Sequence, residues 1–191
     1  MSTVRIISIR TIAGTAILSG AQRGQTIFAK LINEATSEPS APEPIFLDFS
    51  EIEVATASFL RESVLAFREF VRGRRSMLYP VIANANQAIR EELLILIMPR
   101  GDAIMSCSLS GEGKVSDASL IGTLDPKQRL AFDLVNVRGE TDAGELMRDF
   151  GEGLKSATGW NNRLASLAAL GVVMEISEGR SKRYRPVLVG A

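Results

Sequence analysis

The sequence predicts an α/β layer built on a parallel or mixed sheet, followed by a smaller α+β unit of three helices and a β-hairpin. Three observations point to it. Over residues 4–109, short apolar runs alternate with segments of helical apolar spacing, in the order β-α-β-α-β-α-β. From Ser110 to Thr123 the chain becomes rich in Gly and Ser, with Asp117 among them, which marks a boundary. Beyond Asp125, three stretches of helical spacing precede two short strands joined at a glycine turn. The expected division is residues 1–110, a linker over 111–124, and residues 125–191.

Val4 to Ile9 alternates loosely and reads as the opening strand. Behind Arg23-Gly24-Gln25-Thr26, the residues Ile27, Phe28, Leu31 and Ile32 share one helix face. Pro39, Pro42 and Pro44 deny the next stretch a helix. Ile45-Phe46-Leu47-Asp48-Phe49 is almost continuously apolar, as a strand buried on both faces is. Thr56 or Ser58 opens the following helix, whose inner side carries Phe59, Leu60, Val64, Phe67 and Val71. Arg72-Gly73-Arg74-Arg75 ends it with cations at the negative pole of its dipole. Met77 to Ala83 is a strand in which Pro80 argues for an edge or a bulge. Asn84-Ala85-Asn86 brings turn and cap chemistry to a helix over residues 87–97, and Ala103 to Leu109 is the last strand of the layer.

In the second unit, Asp125 caps a helix with Pro126 in its first turn, and Leu130, Leu134 and Val137 share a face. Thr141 is the expected cap of a short second helix, with Glu145 near a capping-box position and Gly151 as its stop. A third helix spans about Ala157 to Leu170, with Trp160, Leu164 and Leu167 on one stripe and Gly171 at its end. Strands follow at residues 172–176 and 183–189, around Ser177-Glu178-Gly179-Arg180.

Composition narrows the function. The 191 residues include no His and a single Cys, Cys107. A His-based triad, a His general base, a His-ligated metal, a Cys-rich zinc site and an internal disulfide are all excluded within the chain. Glu51 and Glu53 have no positioned partner, and Gly111-Glu112-Gly113 reads as a loop rather than a phosphate cradle. The expectation is therefore a protein that is not an enzyme and uses no cofactor or metal. Cys107, in an alternating strand, reads as a small buried residue. The longest apolar run, Leu93 to Met98, is far short of the roughly 20 residues of a membrane span. With no cleavable apolar leader and one unpaired thiol, a cytoplasmic location is expected.

Charge is balanced overall, 22 Lys and Arg against 22 Asp and Glu, yet it is unevenly placed. Residues 125–152 hold four cations and seven anions, a net −3, whereas residues 155–185 hold six cations and two anions, a net +4. Such a basic patch either attracts a polyanion or forms a solvated surface.

Four segments stand in a telling order: Thr141-Asp142-Ala143-Gly144-Glu145-Leu146, then Asn161-Asn162-Arg163-Leu164-Ala165-Ser166-Leu167, then Leu170-Gly171-Val172-Val173, then the basic run Arg180 to Pro186. Over Asp125 to Val189 they resemble the winged helix-turn-helix domains of bacterial regulators. The resemblance implies double-stranded DNA as a partner. With Trp160, Leu164 and Leu167 inward, Thr158, Asn162 and Ser166 point outward as short polar side chains suited to base edges or phosphates. Arg163 lies on the flank, while Lys155, Arg180, Lys182 and Arg183 suit the phosphate backbone or the minor groove. A winged helix that binds protein instead of DNA is the alternative.

Over Val4 to Leu109, the residues Ser19 to Gly24, Ile45 to Ser50, Ala57 to Glu62 and the Asn84/Asn86 pair are similar to a STAS-like domain family of unknown function. They are distantly similar to the anti-sigma factor antagonists, which carry a phosphorylatable Ser at the start of a helix. On that pattern Ser58 falls at the phospho-acceptor, and Thr56 stands where those proteins commonly have Asp. A phosphate there would meet free helix N–H groups and add about −2 charge; the plainer reading of Ser58 is an N-cap worth about 1 kcal/mol. Arg23 offers either a partner or anion contact or a surface salt bridge. The resemblance implies a protein partner, for instance a GHKL-type kinase or ATPase, and leaves room for a homodimer. The expected function is that of a bacterial regulator whose winged helix binds DNA while the STAS-like domain receives a signal through a protein partner. The alternative is an adaptor whose two domains are both protein-interaction modules in a larger assembly.

Overall fold

Parallel neighbouring strands need a crossover connection, usually a helix, and the first half of the chain supplies such connections. A computed structural model describes residues 4–151, 156–179 and 181–190. It begins with β1 (Arg5–Ser8), α1 (Ile9–Ala13), β2 (Ile17–Leu18), α2 (Ala21–Glu34), β3 (Glu43–Asp48) and β4 (Val54–Ala55). Next come α3 (Ala57–Leu60), a π-helical turn (Arg61–Leu65), α4 (Ala66–Gly73), β5 (Leu78–Ala83), α5 (Gln87–Ile97), a 3₁₀ turn (Met98–Arg100), β6 (Ala103–Leu109) and β7 (Val115–Gly122). The chain ends with α6 (Pro126–Arg138), α7 (Ala143–Phe150), α8 (Thr158–Leu170), β8 (Val173–Glu178) and β9 (Ser181–Pro186).

The main sheet has the order β1-β3-β5-β6-β7, with all pairs parallel except the last. Each parallel strand is added to the same edge, so right-handed crossovers put the connecting helices on one face. That face holds Ile45, Leu47, Leu78, Ile82 and Ile104 against Ile27 and Leu31 of α2, Phe59, Val64, Phe67 and Val71 of the long helix, and Ile89 and Leu93 of α5. The strand period of two sends Phe46, Tyr79, Val81, Ala83, Ala103, Met105 and Cys107 to the other face. There they pack against Ala131, Phe132 and Val135 of α6, Leu146 of α7, and Trp160, Leu164 and Leu167 of α8. The fold is thus mixed α/β around a largely parallel sheet, and the C-terminal helices cover its second face. Cys107 is buried there, and desolvation, together with the nearby Asp48, pushes its thiol up to about 11. No helix among the described residues is long and apolar enough to cross a membrane.

Several elements differ from the sequence expectation. Ser8 ends β1 early and caps α1, its hydroxyl accepting from the Thr11 N–H, so Ile9 begins a helix. Within the expected linker, residues 115–122 form β7. Its alternation is broken because Ser119 faces Ser106 while Ser116 faces Ser108, and Asp117 takes up the extra residue at φ 51°. Pro80 sits in an interior strand, in the half of β5 that β6 does not pair; that ladder engages only Ile82 and Ala83. On α6 the buried face is Ala131, Phe132 and Val135, whereas Val137 is 85% exposed and Leu130 is exposed too. The aromatic ring of Phe132 claims the inward position, and this turns the expected Leu130/Val137 face outward. The last expected strand stops at Pro186, and Val187 and Leu188 turn into the core.

α3, the π turn and α4 run without a break from Ala57 to Gly73. α2 crosses this helix at Gly24, where a Cβ would lie 2.8 Å from the Phe59 carbonyl oxygen and 2.9 Å from Glu62 Cβ. Further along, the same helix supplies two arginines to the end of α8. Arg68 Nε donates to the Leu170 carbonyl at 3.1 Å, and its two terminal nitrogens grip the Asp102 carboxylate at 2.8 and 2.6 Å. Arg72 donates to the Ala168 carbonyl at 3.2 and 2.9 Å and to the Ser76 and Leu78 carbonyls, with its guanidinium 3.9 Å over the Tyr79 ring. The last carbonyls of a helix lack intrahelical donors and carry its negative pole, so two cations are well matched to them.

Two outcomes are expected. Gly24→Val forces α2 away from the Phe59 backbone and lowers unfolding stability by about 1–3 kcal/mol in a denaturant titration. Arg68→Met strands the Asp102 carboxylate, which is largely buried, and costs about 3–5 kcal/mol in the same measurement.

Candidate functional site

The second unit is organised around the start of α7. Asp142, not Thr141, is the cap: its carboxylate accepts from the Glu145 N–H at 2.8 Å, and Glu145 returns a bond to the Asp142 N–H at 3.2 Å. Thr141 is instead buried and paired with β9, exchanging backbone hydrogen bonds with Tyr184 at 3.0 and 2.8 Å. The hairpin β8–β9 is therefore strapped to the entrance of α7. Its strands pair from Val173 with Pro186 out to Glu178 with Ser181, and Gly179 at φ 62° takes part in the tight connection.

Arg183 of β9 lies among three carboxylates, those of Glu140, Asp142 and Glu145. Arg185 also meets Glu140, and Lys182 Nζ lies 2.8 Å from Glu175. Hydrogen bonds from Arg183 and then Arg185 hold the Glu140 carboxyl below the ordinary carboxylate range. Burial, with Glu175 beside it, raises the Tyr184 phenol. The acidic and basic halves of this unit thus neutralise one another across the hairpin. Exposure separates the cations: Arg183 is 26% exposed, whereas Lys182 and Arg185 are 50% and 54% exposed.

On α8, Trp160, Leu164 and Leu167 are buried as their spacing requires. Thr158 and Asn162 are exposed. Ser166 is half-buried and accepts a hydrogen bond from Gln128 Nε2 of α6 at 2.9 Å. Arg163 is half-buried and stacks 4.8 Å over the Trp160 ring. Asn161 and Ala165 complete the outward stripe. They line a groove of 560 Å³ with Asn162, Gly144, Ser181 and Lys182. At about 100° per residue, Ala165 lies nearer than Ser166 to the direction opposite the buried stripe, so the helical arithmetic contains this signal. Selecting polar residues obscures it. Lys155 and Arg180 lie outside the described residues.

In the first unit, Thr56 is the cap of the long helix. Its hydroxyl oxygen accepts from the Phe59 and Gly20 N–H groups, each at 3.4 Å, and lies 3.2 Å from the Ser58 hydroxyl. Ser58 therefore sits inside the first turn and is half-exposed. β2 and β4 pair beside it, presenting Ile17 and Val54 to solvent. Arg23 falls in the first turn of α2 and donates to the Ala13 carbonyl at 3.4 Å. Asn84 and Asn86 are structural clips. Asn84, at φ 56°, bonds Asp48 and both backbone groups of Leu109, and Asn86 caps α5 while donating to the Ile52 and Glu53 carbonyls.

No protein-family model matches the chain, and no curated protein matches it.

The pH dependence of the hairpin strap has a definite sign. A carboxyl whose folded pKa is depressed contributes stability above its unfolded value and loses that contribution as pH falls through the folded value. For Glu140 the contribution is complete above the ordinary 4.5 and disappears on further acidification. Glu140→Gln is therefore expected to lower stability at neutral pH and to flatten the acid limb below about pH 5, read by Trp160 fluorescence in an acid titration.

Proposed function

We propose that residues 125–190 act as a winged helix whose α8 meets DNA, and that residues 4–122 form a STAS-like domain that receives a signal through a protein partner. In this reading the protein is a non-enzymatic bacterial regulator of the cytoplasm. The observation that carries it is the outward stripe of Thr158, Asn161, Asn162 and Ala165 on α8, set beside a hairpin strapped to the entrance of α7. Short uncharged side chains on one helix face suit base edges, and the adjoining hairpin suits the phosphate backbone. The ion pairs of Lys182 and Arg185 are exposed, and such pairs are worth about 0–1 kcal/mol, so a phosphate can displace their carboxylates cheaply. Arg183, more enclosed and shared by three carboxylates, stays as a strut.

For the first unit, the support is the Thr56/Ser58 hydroxyl pair at the positive pole of the long helix, beside exposed Ile17 and Val54. A phosphate on Ser58 would be stabilised locally while changing the charge a partner meets. A GHKL-type kinase or ATPase as that partner rests on the family resemblance alone. A second reading, an adaptor without DNA contact, is favoured by one observation: Lys182, Arg183 and Arg185 are all already paired with carboxylates.

Titration of the full chain into a fluorescent duplex over rising salt tests both. For DNA binding, log K falls linearly with log salt, with a slope of about 0.9 per phosphate contacted. Lys182→Ala reduces that slope by about 1, and Asn162→Ala weakens binding without changing it. Absence of binding at about 50 mM salt leaves the adaptor reading.

A further inference from the structure

We propose that the cleft between the sheet unit and α8 binds a small organic oxyanion, a phosphate or carboxylate carried on an apolar body. The cleft is a cavity of 410 Å³, within the range of small-molecule pockets. Its apolar wall is formed by Ala165, Ala168 and Ala169 of α8, with Pro42, Met77 and Tyr79. Its charged lining is Arg72, Arg75 and Lys182 against the carboxylate of Glu175, so positive charge predominates.

Two features distinguish this lining from an ordinary charged surface. Arg72 is half-buried and spends its donors on the neutral carbonyls of Ala168, Ser76 and Leu78, so these contacts leave its charge uncancelled. It supplies field rather than hydrogen bonds, and that field is strong where water is partly excluded. Arg75 closes the end of α4 at φ 54°, with its N–H bonded to the Arg72 carbonyl and the Ser76 N–H bonded to the Val71 carbonyl. That left-handed position usually belongs to Gly or Asn, yet the glycine of this turn, Gly73, stands two residues earlier at an ordinary φ. Among the described residues the Arg75 side chain makes no hydrogen bond or ion pair. A long cation held in an unfavourable backbone conformation, exposed at the mouth of a cavity, is what an anion-binding role accounts for. Lys182 and the hydroxyls of Ser40 and Ser177 complete the set of donors.

The cleft shares Ala165 and Lys182 with the proposed DNA face, and the probe experiment reads it directly in the absence of DNA. The full chain is titrated with phenyl phosphate, benzoate, inorganic phosphate and phenol at constant ionic strength, following Tm and binding heat. A saturable rise in Tm is expected for phenyl phosphate or benzoate, larger than for inorganic phosphate and absent for phenol; the stronger of the two identifies the headgroup. Arg75→Gly is expected to raise the Tm of the ligand-free chain by about 2 °C while weakening the preferred anion at least tenfold. Arg75→Lys retains binding. Ala169→Leu, at an exposed position, fills the cleft and also weakens binding at least tenfold. Absence of a saturable response to both organic anions overturns the proposal, as does undiminished binding by the Arg75→Gly and Ala169→Leu variants.

Discussion

The second face of the sheet must be covered, and most of the architecture follows from that. All six residues of β5 are buried, and a strand of this kind cannot leave either side in water. The crossover helices cover one side only, because every parallel strand is added at the same edge. The apolar residues left over, from Phe46 through Met105, share one core with Phe132, Trp160, Leu164 and Tyr184. The C-terminal helices are therefore held against the sheet, and the direction in which α8 faces outward is set by what it must bury.

Electrostatics then refines the orientation that burial has chosen. Arg68 joins three separate parts of the chain, α4, Asp102 and the end of α8, in one buried hydrogen-bonded group. Such a group contributes little net stability compared with apolar packing, but breaking it leaves a charge unpaired, so its main effect is to favour one docking geometry. Arg72 does the same with neutral carbonyls, which leaves a cationic wall in the cleft beside α8. At the start of α7, Arg183 gathers Glu140, Asp142 and Glu145 and holds the hairpin to that helix. Within this unit, charges of opposite sign from separate segments are thus paired in space.

Much of the fold was legible along the chain because alternation and helical spacing are local. The limits of β6 and α5, and the buried stripe of Trp160, Leu164 and Leu167, follow from residue type and period alone. β7 was hidden because the bulge at Asp117 breaks its alternation. The true cap of α7 was obscured because Thr141 and Asp142 are both good caps, and only the pairing of Thr141 with Tyr184 distinguishes them. On α6, two apolar faces compete in the sequence, and packing against α8 and β9 selects the one carrying Phe132.

The candidate site shows the same division. By itself the sequence determined the α/β order, the two-sided burial of the strand at Ile45–Phe49, the exclusion of His-based chemistry, a Cys-rich zinc site and an internal disulfide within the chain, and the helix on which Thr158 and Asn162 face outward. Those features depend on composition and on periods of two and 3.6 residues, which neighbours in sequence impose. Only the tertiary structure decided that Ser166 is engaged by Gln128, that Arg183 is a strut while Lys182 remains accessible, and that Arg75 overlooks a cleft. These depend on partners far away in the chain, and a side chain's charge or hydroxyl does not reveal from sequence which distant group will claim it.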